Sequence, residues 1–151
     1  DVVRLTAHAL EGEGTRWQAV PSGATLRSGA RLRLTVAVGQ PLYLYVVHFG
    51  PPAAALFSEV RVHPEAPLDL PQGGAWLRLG DRSGVEDLRV LLSKDPLSEA
   101  AVLLRVAAPL ALGSRDPPPI IREKDRESHA IYGNLNAQST VLLRLLVHHQ
   151  R

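Results

Sequence analysis

Hydrophobic and polar residues alternate along several stretches of this chain. The alternation is clearest in residues 31–38, where the even positions are leucine or valine and positions 31, 33 and 35 are arginine or threonine. Residues 2–10 follow the same pattern, with valine, leucine or alanine at every odd position. A period of two places successive side chains on opposite faces of an extended strand. Both stretches are therefore predicted to be strands with one buried face.

Two other stretches are apolar at most positions. Residues 42–49 and 139–149 carry leucine, valine or aromatic side chains on both faces of a strand. Such strands are expected in the interior of a sheet. Prolines at 64, 67 and 71 are expected to break regular structure. Shorter strands between glycine-rich and proline-rich turns are predicted at residues 17–20, 55–62, 75–79 and 86–93.

One segment has the sequence signals of a helix start. The carboxylate of Asp95 can accept hydrogen bonds from free backbone amides, and Pro96 suits the first helical position. Glu99 would lie near the positive end of the helix dipole. We therefore expect a helix over about residues 96–108, ended by Pro109.

Together these elements predict the fold class. The chain is expected to be mostly β, an antiparallel β-sandwich or partly closed barrel with one α-helix near 96–108. A length of 151 residues suits a single domain over 1–151. Residues 113–128, with three consecutive prolines and a run of charged residues, are expected to form an exposed connection.

The amino-acid composition limits the kinds of site that the chain can form and the compartment in which it is expected. The chain has no cysteine, which removes disulfides, thiolate metal sites and thiol catalysis, and fits an extracytoplasmic location. It has no methionine and starts at Asp1, so we expect a fragment of a longer protein. Its apolar runs are too short to span a bilayer as a helix. A net charge of +2 does not suggest a nucleic-acid partner.

Candidate chemistry is sparse. Glu86, two residues after Gly84, is either a ligand or acid group at a strand start or a carboxylate that pairs with an arginine or with turn amides. A single carboxylate lacks the partner that general acid and base catalysis needs. The six histidines are scattered, and His148 and His149 would point to opposite faces of a strand. We expect no catalytic residue, no metal and no cofactor.

The aromatic residues suggest a second kind of site. Tyr43 and Tyr45 share one face of the predicted strand 42–49, and Trp76 lies in another predicted strand. With Glu86 they are the candidate ligand-binding residues. Such a face either lines a groove for a small molecule or carbohydrate or packs against the second sheet or the helix.

The order of segments between residues 26 and 97 resembles that of a known family. The motifs are Gln40-Pro41-Leu42-Tyr43-Leu44-Tyr45, then Ala55-Leu56-Phe57, then Gly84-Val85-Glu86-Asp87-Leu88 continuing to Ser93. They resemble the bacterial domain-of-unknown-function family numbered 4384. The resemblance implies an accessory or sensing module attached to membrane-anchored, kinase-like, protease-like or anti-sigma-type bacterial proteins. That family has no assigned catalytic residues.

We therefore expect a noncatalytic accessory domain that binds a protein partner or envelope component within a larger bacterial protein. A periplasmic or membrane-anchored extracytoplasmic location is favoured over the cytoplasm. The alternative is a small-molecule or carbohydrate binding module that uses the aromatic face. A hydrolase built on Glu86 and a histidine has the least support.

Overall fold

The computed structural model consists of β-strands in two sheets and one α-helix. It describes residues 2–12, 16–49, 55–56, 59–71, 77–78, 84–112, 129–135 and 139–150. In chain order the elements are β1 (Val2–Leu10), β2 (Gln18–Ala19), β3 (Ala24–Arg27), β4 (Arg31–Ala37), β5 (Leu42–Phe49), β6 (Ala55–Leu56), β7 (Val60–Val62), β8 (Leu68–Leu70), β9 (Leu77–Arg78), β10 (Gly84–Ser93), α1 (Glu99–Leu112), β11 (Ile131–Asn134) and β12 (Thr140–Gln150).

The strands form two separate sheets in the described ranges. Sheet I has the order β11-β1-β4-β8, with β2 also paired to β1 and β9 to β4. Sheet II has the order β3-β12-β10-β5-β6, with β7 also paired to β5. Neighbouring strands are antiparallel except β3 and β12, which are parallel. A mostly β, sandwich-like fold with one helix is confirmed, and the sheets do not close into a barrel.

The main core lies between the inward faces of the two sheets. Even-numbered residues of β4 and β10, such as Leu32, Leu88 and Val90, are fully buried there. This is the result that the period of two in residues 31–38 predicts. Burying each leucine or valine side chain stabilises the fold by about 1.5–3 kcal/mol, so this layer is the main source of stability.

The strands predicted to be interior are interior. β12 lies between β3 and β10, and β5 lies between β10 and the pair β6 and β7. One face of β5 joins the core between the sheets, and the other, with Tyr45 and Val47, packs under α1. The apolar character of both faces of residues 42–49 follows from these two contacts.

The helix differs from its predicted bounds at both ends. It begins at Glu99 instead of Pro96, because Ser98 caps it: the Ser98 hydroxyl accepts a hydrogen bond from the Ala101 amide at 3.2 Å, and the Ser98 carbonyl accepts one from Val102 at 3.0 Å. The prediction that Pro109 ends the helix is wrong, since the helix continues to Leu112. A proline inside a helix lacks the backbone donor and crowds the carbonyl four residues earlier, and here this cost falls in the last turn of the helix.

The strand predicted over 55–62 is described as two short strands, β6 and β7. Both pair with β5, but their registers differ by one residue: Leu56 is opposite Val47, whereas Val60 is opposite Leu44.

Three short strands were not predicted: β3, β8 and β11. β8 lies between Pro67 and Pro71, where irregular structure was expected, so that expectation is wrong for residues 68–70. β11 contains Gly133, which weakens a strand pattern in sequence. The predicted exposed connection over 113–128 lies outside the described residues.

Candidate functional site

Glu86 pairs with a histidine, and the sequence did not identify which of the six histidines this would be. Its side chain lies on the core-facing side of β10, and its Oε2 is hydrogen bonded to Nε2 of His48 on β5. Glu86 is only 4 % exposed, and His48 is partly buried. The register of β5 against β10 places His48 opposite Leu88, so Glu86 is its diagonal neighbour on the same face.

Tyr45 is buried beneath the segment that leads into α1. It is 3 % exposed, its hydroxyl donates to Oε2 of Glu59 at 2.6 Å, and it accepts a hydrogen bond from the Leu97 amide at 2.7 Å. Burial raises the pKa of Tyr45, and the hydrogen bond to Glu59 adds to this increase. Tyr45 therefore links the segment before α1 to sheet II through a hydrogen bond.

Tyr43, on the same strand face, is half-buried. The guanidinium of Arg61 on β7 covers its ring, 4.2 Å from the ring centre. Both tyrosine side chains thus make their contacts within this protein, and the ring of Tyr43 makes a cation–π contact with Arg61. Trp76 lies outside the described residues.

The three candidate residues that the structure describes, Tyr43, Tyr45 and Glu86, do not form one site. Tyr43 and Tyr45 are on the helix side of sheet II, whereas Glu86 is on the side that faces sheet I. Successive residues of a strand point to opposite faces, so the sheet separates them. Among the described residues, no three histidine, aspartate or glutamate side chains converge in a way that could hold a metal ion.

The sequence analysis missed a charged cluster on the helix side of sheet II. Arg89 is 1 % exposed and binds Asp87 through two hydrogen bonds, of 2.9 and 3.2 Å. Its remaining terminal nitrogen donates to the carbonyl of Val106 in α1 at 2.6 Å, and its guanidinium lies 4.9 Å from the ring centre of Phe49. Arg144, about half-exposed, binds the same carboxylate, at 2.8 Å for the shortest bond.

Arg89 and Arg144 lower the pKa of Asp87. Burial alone would raise the pKa of Asp87, but the hydrogen bonds and positive charges of Arg89 and Arg144 outweigh it and hold the pKa below its ordinary value. The spacing of Asp87 and Arg89 is a signal in the sequence, because residues i and i+2 of a strand share one face. Arg144, the third member of the cluster, is far from both residues in the sequence, so their spacing does not indicate it.

A cleft opens between an end of sheet I and an end of sheet II. Its volume is about 460 Å³, within the range of ligand pockets. β1 and β2 form one side and β3 the other. The lining residues are Ala9, Glu11, Arg16, Gln18, Ala19, Val20, Pro21, Ala24, Thr25 and Leu26.

The outward side of α1 is apolar. Val102 and Val106 are buried against sheet II, while Leu103 is 40 % and Leu104 is 74 % exposed. Ala100 is also exposed. An amphipathic surface helix usually has polar residues at such positions. We call Ala100, Leu103 and Leu104 the α1 strip.

Comparison with models of protein families, with curated proteins and with solved structures finds no match to this chain. The resemblance to family 4384 therefore stays a prediction. No helix in the described ranges has the length and apolar character to cross a membrane.

Proposed function

We propose that this chain is a noncatalytic protein-interaction domain of a larger bacterial, envelope-associated protein, and that its partner binds the α1 strip. The observation that supports this most directly is the exposure of Leu103 and Leu104 in the middle of α1. Burying a fully exposed leucine contributes about 1.5–3 kcal/mol, so covering the parts of Leu103 and Leu104 that are still exposed would contribute about 2–3 kcal/mol together, a part of a moderate affinity. The partner is accordingly expected to present an apolar groove.

The polar side chains add indirect support. The main buried charges on the helix side of sheet II, Asp87 and Arg89, are hydrogen bonded to each other, and Arg89 also donates to α1. They hold the helix in place, as does Tyr45 through Leu97. A rigidly held helix is a suitable platform for binding, because its exposed side chains need little ordering when a partner arrives.

The alternative, a small-molecule or carbohydrate module on the aromatic face, has less support. Tyr45 is buried and Tyr43 is covered by Arg61, so neither offers an open stacking surface. Family resemblance also favours an accessory module, with a periplasmic or membrane-anchored location.

Site-specific photocrosslinking tests the proposal. A photoreactive phenylalanine analogue would replace Leu104 in the full-length protein, expressed in its own bacterium, and Glu65 would be replaced in a matched control. Glu65 is exposed in the turn after β7, away from the helix in sequence. We expect a discrete protein adduct from position 104 and none from position 65.

Two results would contradict the proposal. One is the absence of an adduct at position 104, and the other is equal crosslinking at both positions. An adduct that contains only two copies of this chain would show that the α1 strip mediates self-association and does not bind another protein. Leu104→Ser should leave the melting temperature unchanged, since the side chain is mostly exposed, and should weaken the partner contact.

A further inference from the structure

β3 is an end strand of sheet II with one side open. Along one side it pairs with β12 over Ala24–Arg27. Among the described residues, no strand pairs with its other side. An unpaired strand edge presents backbone donors and acceptors that can extend a sheet with another chain.

The hydrogen bonds of β3 show which backbone groups face outward. The Ser28 amide donates to the Gln150 carbonyl at 2.8 Å, so residue 28 faces β12. Backbone groups of successive residues alternate in direction along a strand, so Leu26 also faces β12, and Thr25 and Arg27 face away. The Arg27 amide agrees with this assignment, because it donates to a Glu11 carboxylate oxygen at 3.3 Å.

The outward edge of β3 borders the cleft. Thr25 lines this space of about 460 Å³ and is exposed. Its backbone N–H and C=O face away from β12, which is the side of the strand on which the cleft lies. The floor is apolar, formed by small or branched residues such as Ala9, Val20 and Leu26. Arg16 adds an exposed positive charge to the lining. The cleft thus combines backbone hydrogen-bonding groups, an apolar floor, the cation of Arg16 and the carboxylate of Glu11.

We propose that an extended segment of another protein binds in this cleft by adding a strand to the outer edge of β3. Its backbone pairs with Thr25, its inward side chains are small and apolar, and an acidic side chain pairs with Arg16. Alternate side chains of a strand point in opposite directions, so one extended segment can satisfy the apolar floor and the arginine together. This site involves other elements than the α1 strip, and the two are tested independently.

Glu11 competes with the incoming strand. Its carboxylate occupies the position at the Arg27 amide where a carbonyl of an added strand would lie. Glu11 is exposed, so its carboxylate can turn into solvent when a peptide arrives. Removing the side chain is therefore expected to raise the affinity for a peptide.

The experiment selects peptides and then removes one backbone donor. A phage-displayed library of random short peptides is selected against the protein, and the affinity of the best peptide is measured by calorimetry for wild type, Thr25→Pro and Thr25→Val. Proline lacks the N–H, and it is tolerated on an edge strand where that N–H faces outward. Valine keeps the N–H and the branched shape.

We expect Thr25→Pro to weaken binding by about tenfold or more and Thr25→Val to keep it within about twofold. Glu11→Ala should bind more tightly than wild type. Failure to select any peptide, or equal binding by Thr25→Pro, would overturn the proposal. Binding by Glu11→Ala but not by wild type would also overturn it, since Glu11 would then keep the edge closed.

If Thr25→Pro does not fold, amide hydrogen exchange in the wild-type protein provides a second test of the proposal. In the wild-type protein without peptide, the Thr25 amide should exchange faster than the Leu26 amide, which faces β12. The selected peptide should protect the Thr25 amide and shift its NMR signal. Protection elsewhere, with Thr25 unchanged, would overturn the proposal.

Discussion

Replacing Arg89 tests how the helix is held on sheet II. This guanidinium is 1 % exposed and makes three hydrogen bonds, two to Asp87 and one to the Val106 carbonyl. In Arg89→Met all three are lost, together with the contact to the ring of Phe49. Asp87 keeps its bonds to Arg144, so the carboxylate is not left alone.

The expected costs form a series. Removing one partner of a buried ion pair costs about 3–5 kcal/mol when the other is left unpaired. Asp87→Asn fits that case, because the asparagine oxygen can still accept one hydrogen bond from Arg89 but carries no negative charge to offset the buried guanidinium. Arg89→Met should cost about 2–4 kcal/mol, since Arg144 still neutralises Asp87. Arg144→Met, at a half-exposed position, should cost about 0.5–1 kcal/mol.

Urea unfolding followed by far-ultraviolet circular dichroism measures the series. Arg144→Met is the matched control, because it removes a guanidinium from the same carboxylate at an exposed position. Equal losses for Arg89→Met and Arg144→Met would refute the reasoning, as would a loss below about 1 kcal/mol for Asp87→Asn. Equal losses would mean that the burial of Arg89 does not increase its contribution, and a small loss for Asp87→Asn would mean that the buried ion pair does not stabilise the fold.

The same cluster predicts a loss of stability in acid. The pKa of Asp87 is lower in the folded protein than its ordinary value, because the two arginines outweigh the effect of burial. Its ionised form therefore stabilises the fold at pH values above the unfolded pKa of about 4. That stabilisation is lost as the pH falls through the lower, folded pKa. Asp87→Asn should show a smaller decrease in stability over this range than wild type.

Three further substitutions test packing and capping by urea unfolding. Gly133→Ala should cost about 1–2 kcal/mol, because an added methyl carbon would lie 2.7 Å from Val141 Cγ2; no loss would show that the Val141 and Leu143 side chains shift without cost. Ser98→Ala should cost about 1 kcal/mol by removing the cap of α1, and an unchanged stability would place the cap elsewhere. Tyr45→Phe should cost about 1–3 kcal/mol, since the Leu97 amide loses its acceptor; a cost near zero would mean that water replaces the hydroxyl.

Long strands were predictable because one residue period describes them throughout. The alternation in residues 31–38 and the apolar run in 42–49 depend only on which faces are buried, and sandwich packing buries those faces. The helix start was not predictable in the same way. Asp95 and Ser98 both suit a cap, and the choice is made by the Leu97 amide, which bonds to Tyr45 on a distant strand. Local preferences are overridden here by a tertiary contact.

The candidate site was less accessible to sequence reasoning, because partners are brought together by strand register. Glu86 was recognised as unusual, but its partner His48 is fixed by the pairing of β5 with β10. Arg89 was not recognised at all. A lone arginine within an apolar strand looks like an exposed position until a helix is known to cover that face.

The positions of these side chains in the fold change which residues are candidates for a functional role. Polar side chains such as Asp87, Arg89 and Tyr45 would ordinarily mark a site, yet they bond to each other or to the backbone near α1. Groups already satisfied inside the fold have little capacity left for a ligand. The α1 strip and the open edge of β3 differ, because covering leucines or pairing a strand edge lowers the free energy only when another chain arrives. Both features favour a protein partner over a small polar ligand.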